Sequence, residues 1–235
     1  MDPWHEMGRS FIEGRGLAPE ALGAWVIPIL VTIVAREISR GMAASVFGDK
    51  APRREGRLSL NPLCHISVFG TLLLPTLLVL VKAPVILTWG KSSPVQFDRL
   101  KPRRLGIIGV ALTGLMLHLL LASISVALTF LVPQKGWVDQ NVENLLTLNI
   151  SLFIFNILPI LPLDGGRILW ALLPQPLDKI YVSSEGWGLP ILLLLVVILP
   201  LISFVLGAES FNLLKTIIGL PTEAITHTIK EWVIR

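Results

Sequence analysis

Charge is what this sequence has least of. Asp, Glu, Lys and Arg together make up 15% of its 235 residues, against about 25% in a soluble domain. A soluble surface needs that charge to stay dispersed, and a mean hydropathy of +0.72 cannot come from one. Disorder is excluded by the same numbers, because 53% of the residues are apolar. Cysteine is nearly absent too: Cys64 stands alone, which rules out a disulfide scaffold. The first twenty residues lack the basic-then-apolar order of a cleavable signal, so the first apolar segment is expected to remain as a span.

What the sequence does have is apolar length. A membrane helix needs roughly 20 largely apolar residues. Residues 105–132 carry no formal charge and are interrupted only by His118. Residues 145–163 and 189–206 are also uncharged, and 66–88 contains a single Lys82 with Pro75 and Pro84 inside it. A fifth candidate, 21–47, is long enough but carries Arg36, Glu37 and Arg40 in its second half. The expectation is an all-α membrane protein, a polytopic helical bundle of about 4–6 spans. It divides into a polar segment over 1–20, a transmembrane domain over 21–206 and an amphipathic tail over 207–235. The tail reads either as an interfacial helix broken at Pro221 or as a helix packed on the domain's own surface.

Two loops hold nine of the 20 basic residues: Lys50, Arg53, Arg54 and Arg57 in the first, Lys91, Arg99, Lys101, Arg103 and Arg104 in the second. The excess of 20 basic over 16 acidic residues reports loop orientation, and no nucleic-acid partner is expected. If 66–88 crosses, the two loops face opposite sides and the bias vanishes. If it is broken and re-entrant, both loops share the cytoplasmic side with the N-terminus out. Re-entrant backbone also implies a protein- or water-lined cavity. Both readings stand at this stage.

Charge inside a membrane is expensive and usually functional. Arg36 and Arg40 are four residues apart and share one helical face, with Glu37 beside them. That is the layout of a helical zinc site, where two His at i and i+4 bind the metal and the adjacent Glu is the base. Here both His positions are Arg. The second place to look is Asn156 to Arg167, where Asp164 ends an uncharged span and is followed by Gly165 and Gly166. Asp164 is either a ligand carried to membrane depth by a broken helix or a solvated residue beside a Gly165 C-cap.

Taken together, these segments resemble the site-2 protease family, the intramembrane zinc metalloproteases. The resemblance includes Phe47-Gly48-Asp49, Gly56-Arg57-Leu58-Ser59-Leu60-Asn61-Pro62-Leu63, Phe69-Gly70-Thr71, Trp89-Gly90-Lys91, Lys101-Pro102-Arg103-Arg104 and Leu163-Asp164-Gly165, in that order. It implies hydrolysis of peptide bonds in membrane proteins, with zinc as cofactor, Glu37 as base and residues 36, 40 and 164 at the ligand positions. Gly114, His118 and Asn156 fall at substrate-positioning places. The implied partners are single-span membrane proteins and the lipid bilayer, and the implied location is a bacterial-type inner or cell membrane. A short re-entrant or β-hairpin stretch is expected after the first core helix, near 57–61.

Three departures sit at the chemistry. Guanidinium is a permanent cation without a free lone pair, so Arg36 and Arg40 cannot ligate metal. The family's Gly-Pro-x-x-Asn motif reads Gly114-Leu115-Met116-Leu117-His118. Asp164 alone does not make a three-ligand zinc site, and Glu37 then has no metal-bound water to deprotonate. His118 could join Asp164 and Glu37 as a ligand set, or be a histidine hydrogen-bonded within the bundle. The expected function is that of a catalytically degenerate, zinc-free family member. The alternatives are an active protease altered at 36 and 40 in this chain, and a transporter. Two Arg and one Asp carry the same +1 as a zinc dication, two neutral His and one Asp. The arginines are therefore expected to brace Asp164 and Glu37 in place of the metal.

Overall fold

The computed structural model describes residues 19–80, 83–133, 136–207 and 212–234. Most of the polar segment expected over 1–20 lies outside the described residues. Helix α1 (Pro19–Val46) runs unbroken through its charged second half. It stops where Gly48 takes φ +97°, a left-handed turn that favours glycine. The short α2 (Ala51–Arg54) follows, then α3 (Val68–Leu80), whose first turn is a wide π turn. Helix α4 (Arg103–Thr129) is 27 residues long, about 40 Å at the α-helical rise. Helix α5 (Trp137–Asn156) packs against α1 and α4, and the three form the centre of the bundle. The chain then breaks over 157–163 into α6 (Asp164–Leu172), α7 (Leu177–Ser183) and α8 (Glu185–Leu206). A further wide turn (Lys215–Gly219) leads into α9 (Leu220–Ile234).

Two of these helices, α4 and α8, are long and apolar enough to cross a membrane by length and composition. The uncharged run 145–163 is not one span, because its last seven residues leave the helix after Asn156. Nor is 66–88. It runs out as α3 and returns as extended chain, and its two ends are stitched together. Lys91 N–H donates to His65 O at 2.7 Å, Trp89 N–H to Gly70 O at 3.1 Å and Thr71 Oγ1 to Trp89 O at 3.0 Å. Of the two readings left open, the returning one matches this geometry, and it puts both basic loops at one end. Lys101 N–H reaches Phe47 O at 2.8 Å, and the buried Asp49 carboxylate accepts from Ala51 N–H at 2.9 Å and Gln96 N–H at 2.7 Å.

The hairpin expected near 57–61 takes a different form. Among the described residues there is no strand, and this stretch is irregular, pinned by the buried His65, whose Nε2 bonds Ser59 O at 2.8 Å. The tail packs on the domain itself. Leu214 and Ile218 are fully buried against Leu74, Leu78 and Val85, and Lys230 Nζ meets Glu143 Oε1 on α5 at 2.8 Å. Pro221 sits in the first turn of α9, just past the wide turn, so it does not break that helix.

The stitched segment depends on Gly70. A Cβ there would lie 2.5 Å from Trp89 O and closer still to the Trp89 ring, and backbone cannot yield as a flexible side chain does. Gly70→Ala should therefore cost about 1–3 kcal/mol by overpacking. Gly186→Ala, where a Cβ meets nothing within 4 Å, is the control. Thermal unfolding in detergent reads both; equal midpoints would mean that 66–88 does not fold back on itself.

Candidate functional site

The charged half of α1 faces the start of α6, and one guanidinium joins them. Arg36 Nη2 donates to Asp164 Oδ2 at 2.7 Å and to Asn156 Oδ1 at 3.0 Å, while its Nη1 meets Glu37 Oε1 at 3.1 Å. Arg40, one turn on, places Nη2 3.5 Å from the other Asp164 oxygen. A carboxylate 1% exposed thus has a guanidinium against each oxygen. Asp164 is the first residue of α6, where the helix dipole favours negative charge, and not a solvated residue at a helix C-cap. Gly165 and Gly166 serve packing: a Cβ on Gly166 would lie 2.6 Å from Ile160 O, and one on Gly165 would collide with Ile157 O.

Glu37 is 1% exposed, and its second oxygen is also taken. Oε2 accepts from Ser93 N–H at 2.6 Å, and Ser93 Oγ donates back to Glu37 O at 3.0 Å. The proposed base therefore holds the returning chain against α1. Gly114 supplies space on α4, since a Cβ there would come 2.6 Å from Asp164 Oδ2 and 3.4 Å from Arg40 Cδ.

His118 is fully buried one turn along α4. Its Nδ1 bonds Asn149 Oδ1 at 3.0 Å, and Asn149 Nδ2 donates to Thr32 Oγ1 at 3.0 Å. The amide oxygen can only accept, so Nδ1 carries the proton and Nε2 is left as an acceptor. This polar ladder across α1, α4 and α5 matches a histidine bonded inside the bundle. The sequence reading missed two partners. Ser93 gives no local signal, being one of two serines in a loop. Arg167 forms a two-pronged pair with Glu185, Nη1 to Oε2 at 3.0 Å and Nη2 to Oε1, and its guanidinium lies 4.4 Å over the Phe97 ring. Its spacing from Asp164 along α6 was the only available hint.

These side chains line one cavity of about 420 Å³, walled by Arg36, Glu37, Arg40, His118, Asn156 and Arg167 and by the apolar Phe155, Leu189 and Leu192. That size suits a small ligand or a few residues of extended chain, and it excludes a whole helix. Arg36, Arg40, Glu37 and Asp164 cancel in formal charge. As a zinc site the cluster does not fit. Two of the three family ligand positions present guanidinium nitrogens with no lone pair to give; Arg36 hydrogen-bonds one oxygen of the third, and Arg40 stands 3.5 Å from the other, which accepts no hydrogen bond among the described residues.

Two comparisons bear on this arrangement. The model of peptidase family M50 matches residues 132–199. The chain is 33% identical over 193 residues to a Bacillus subtilis (strain 168) protein named "Putative zinc metalloprotease YwhC", covering 77% of this chain and 83% of that protein. No solved structure matches. The matched model spans the break that delivers Asn156 and Asp164, and the relative extends the likeness over most of the chain: it belongs to peptidase family M50, the site-2 proteases.

Proposed function

We propose that this chain is a zinc-free, catalytically degenerate member of its membrane-embedded metalloprotease family. In this reading it holds short unwound stretches of single-span membrane proteins without cutting them. It lies in a bacterial-type cell membrane as a bundle of about 4–6 crossings, with the N-terminus out and both basic loops in the cytoplasm. The observation that carries the reading is the pair of guanidiniums at Asp164, Arg36 hydrogen-bonded to Oδ2 and Arg40 ion-paired with Oδ1 at 3.5 Å. A dication entering there would displace two cations from a site of low dielectric, where each unpaired arginine costs roughly 2.5–3.5 kcal/mol. Arg36 also bonds Asn156 and Glu37, so it belongs to a network spanning three helices. That integration favours natural degeneration over a chain altered at residues 36 and 40. The transporter alternative has no comparable observation in its favour.

Purified protein is expected to contain no stoichiometric zinc and to leave a helical membrane substrate intact in detergent. One zinc per chain by elemental analysis, with chelator-sensitive cleavage, would sink the proposal. If the arginines replace the metal as a tie between helices, Asp164→Asn should lower stability by about 3 kcal/mol, because two buried guanidiniums lose their carboxylate. An unchanged unfolding midpoint would show that the brace contributes nothing.

Restoring the histidines tests the same geometry from the other side. Arg36→His with Arg40→His removes two positive charges that a zinc ion would return, and Asp164 completes three ligands. Zinc affinity in the double variant should exceed that of either single variant, where one guanidinium still repels the metal. Cleavage is expected to stay weak until His118→Asn is added. Equal affinities in single and double variants would mean that the four positions do not form one site.

A further inference from the structure

We infer that the basic end of the molecule is an anionic-lipid foot: the loop after α1 seats two leucines at the bilayer boundary while its cations hold phospholipid headgroups. The inference rests on the membrane-embedded reading above and adds a lipid class to it. The loop is ordered by hydrogen bonds among its own residues. Asn61 Oδ1 accepts from Leu63 N–H at 3.0 Å, Asn61 N–H donates to Ser59 Oγ at 3.1 Å, and Arg57 donates to Cys64 O. His65 is buried beneath, and Leu58 packs inward, close to where a Cβ on Gly41 of α1 would lie. Leu60 and Leu63, held by the same ordered turn, are 83% and 74% exposed. Water would penalise that display, and it needs an apolar neighbour. Val68, Phe69 and Leu72, which follow along the chain at the start of α3, are exposed as well.

Charge decides what lies beside them. Lys50, Arg53, Arg54, Lys91, Arg99 and Lys101 are all exposed at this end and form no ion pair among the described residues. Against them stand Glu55 and Asp98, the latter already paired with Arg103 at 3.0 Å, while Asp49 is buried and bonded to backbone. A rigid apolar tip rimmed by unpaired cations matches an anionic interface better than a neutral one. The partner is therefore the phosphate-bearing headgroup of an acidic phospholipid in the membrane the chain already occupies.

A nitroxide at Leu60→Cys in a Cys64→Ser background reports the depth of the loop through collisions with oxygen against a water-soluble nickel chelate. The full chain is reconstituted in phosphatidylcholine vesicles with and without phosphatidylglycerol. The label should be oxygen-accessible below the phosphates when phosphatidylglycerol is present, and should move toward water in high salt, which screens the headgroup attraction. Preference for phosphatidylglycerol over phosphatidylcholine should fall by up to about fivefold for each of Lys50→Gln, Arg53→Gln and Arg54→Gln. Wild-type protein labelled at its native Cys64 repeats the measurement should the Leu60 variant fold poorly. A label equally immersed in both lipid mixtures, with no effect of the three substitutions, would overturn the headgroup role. A label in water in both would leave the leucines to a protein partner and overturn the proposal outright. Extraction of the chain from vesicles by alkaline carbonate would overturn the membrane reading along with it.

Discussion

One carboxylate governs the interior of this protein. Asp164 is buried at the start of α6, and a lone ionised carboxylate there would be too costly to keep. Arg36 and Arg40 neutralise it, one against each oxygen. Such a cluster is not a large source of stability, because desolvation offsets much of the attraction. Its consequence is constraint. Removing Asp164 leaves Arg40 without a carboxylate, and removing Arg36 cuts the bonds to Asp164, Glu37 and Asn156 at once, so α1, α6 and the end of α5 are held in one relative position. A metal-bound site in the same family would be constrained in the same way.

The second tie is Glu37, and it shows how the same scaffold can be used differently. A base acting on a metal-bound water needs a free oxygen aimed at that water. Both Glu37 oxygens are engaged, one by Arg36 and one by the Ser93 amide. The residue that resemblance marks as the base is here an anchor for the returning chain. That chain in turn carries Trp89 into the space left by Gly70 and brings Lys91 to His65. The cavity, the returning segment and the two basic loops are thus tied together. The order of the loop that exposes Leu60 and Leu63 depends on those ties as well.

The convergence of residues 36, 37, 40 and 164 was legible because helical spacing is local and charge inside an apolar run is conspicuous. Family motif order supplied the partner on the distant helix. Segment 66–88 was not decided by its composition: the same apolar run with two prolines suits a crossing or a return, and the deciding bonds join residues about twenty apart in sequence. Apolar length also overstated the number of long apolar helices, since 145–163 counts as uncharged although backbone breaks at Asn156. Ser93 and Glu185 were invisible for a related reason. Each matters through one tertiary contact, and neither sits in a pattern with a period.

Room for the two arginines depends on what α4 places beside them. Guanidinium side chains are long, and a buried pair of them needs space next to the carboxylate they share. Gly114 provides part of it: the place where a Cβ would sit lies 2.6 Å from Asp164 Oδ2 and 3.4 Å from Arg40 Cδ. His118, standing in the asparagine position of the family motif, turns to Asn149 and so keeps its proton donor away from the arginines. Its free acceptor is the form of histidine least costly beside two fixed cations, since a protonated ring would add a third. Arg36, Arg40, Gly114 and His118 are thus physically linked: the glycine leaves room for the guanidiniums, and the neutral imidazole spares them a third cation.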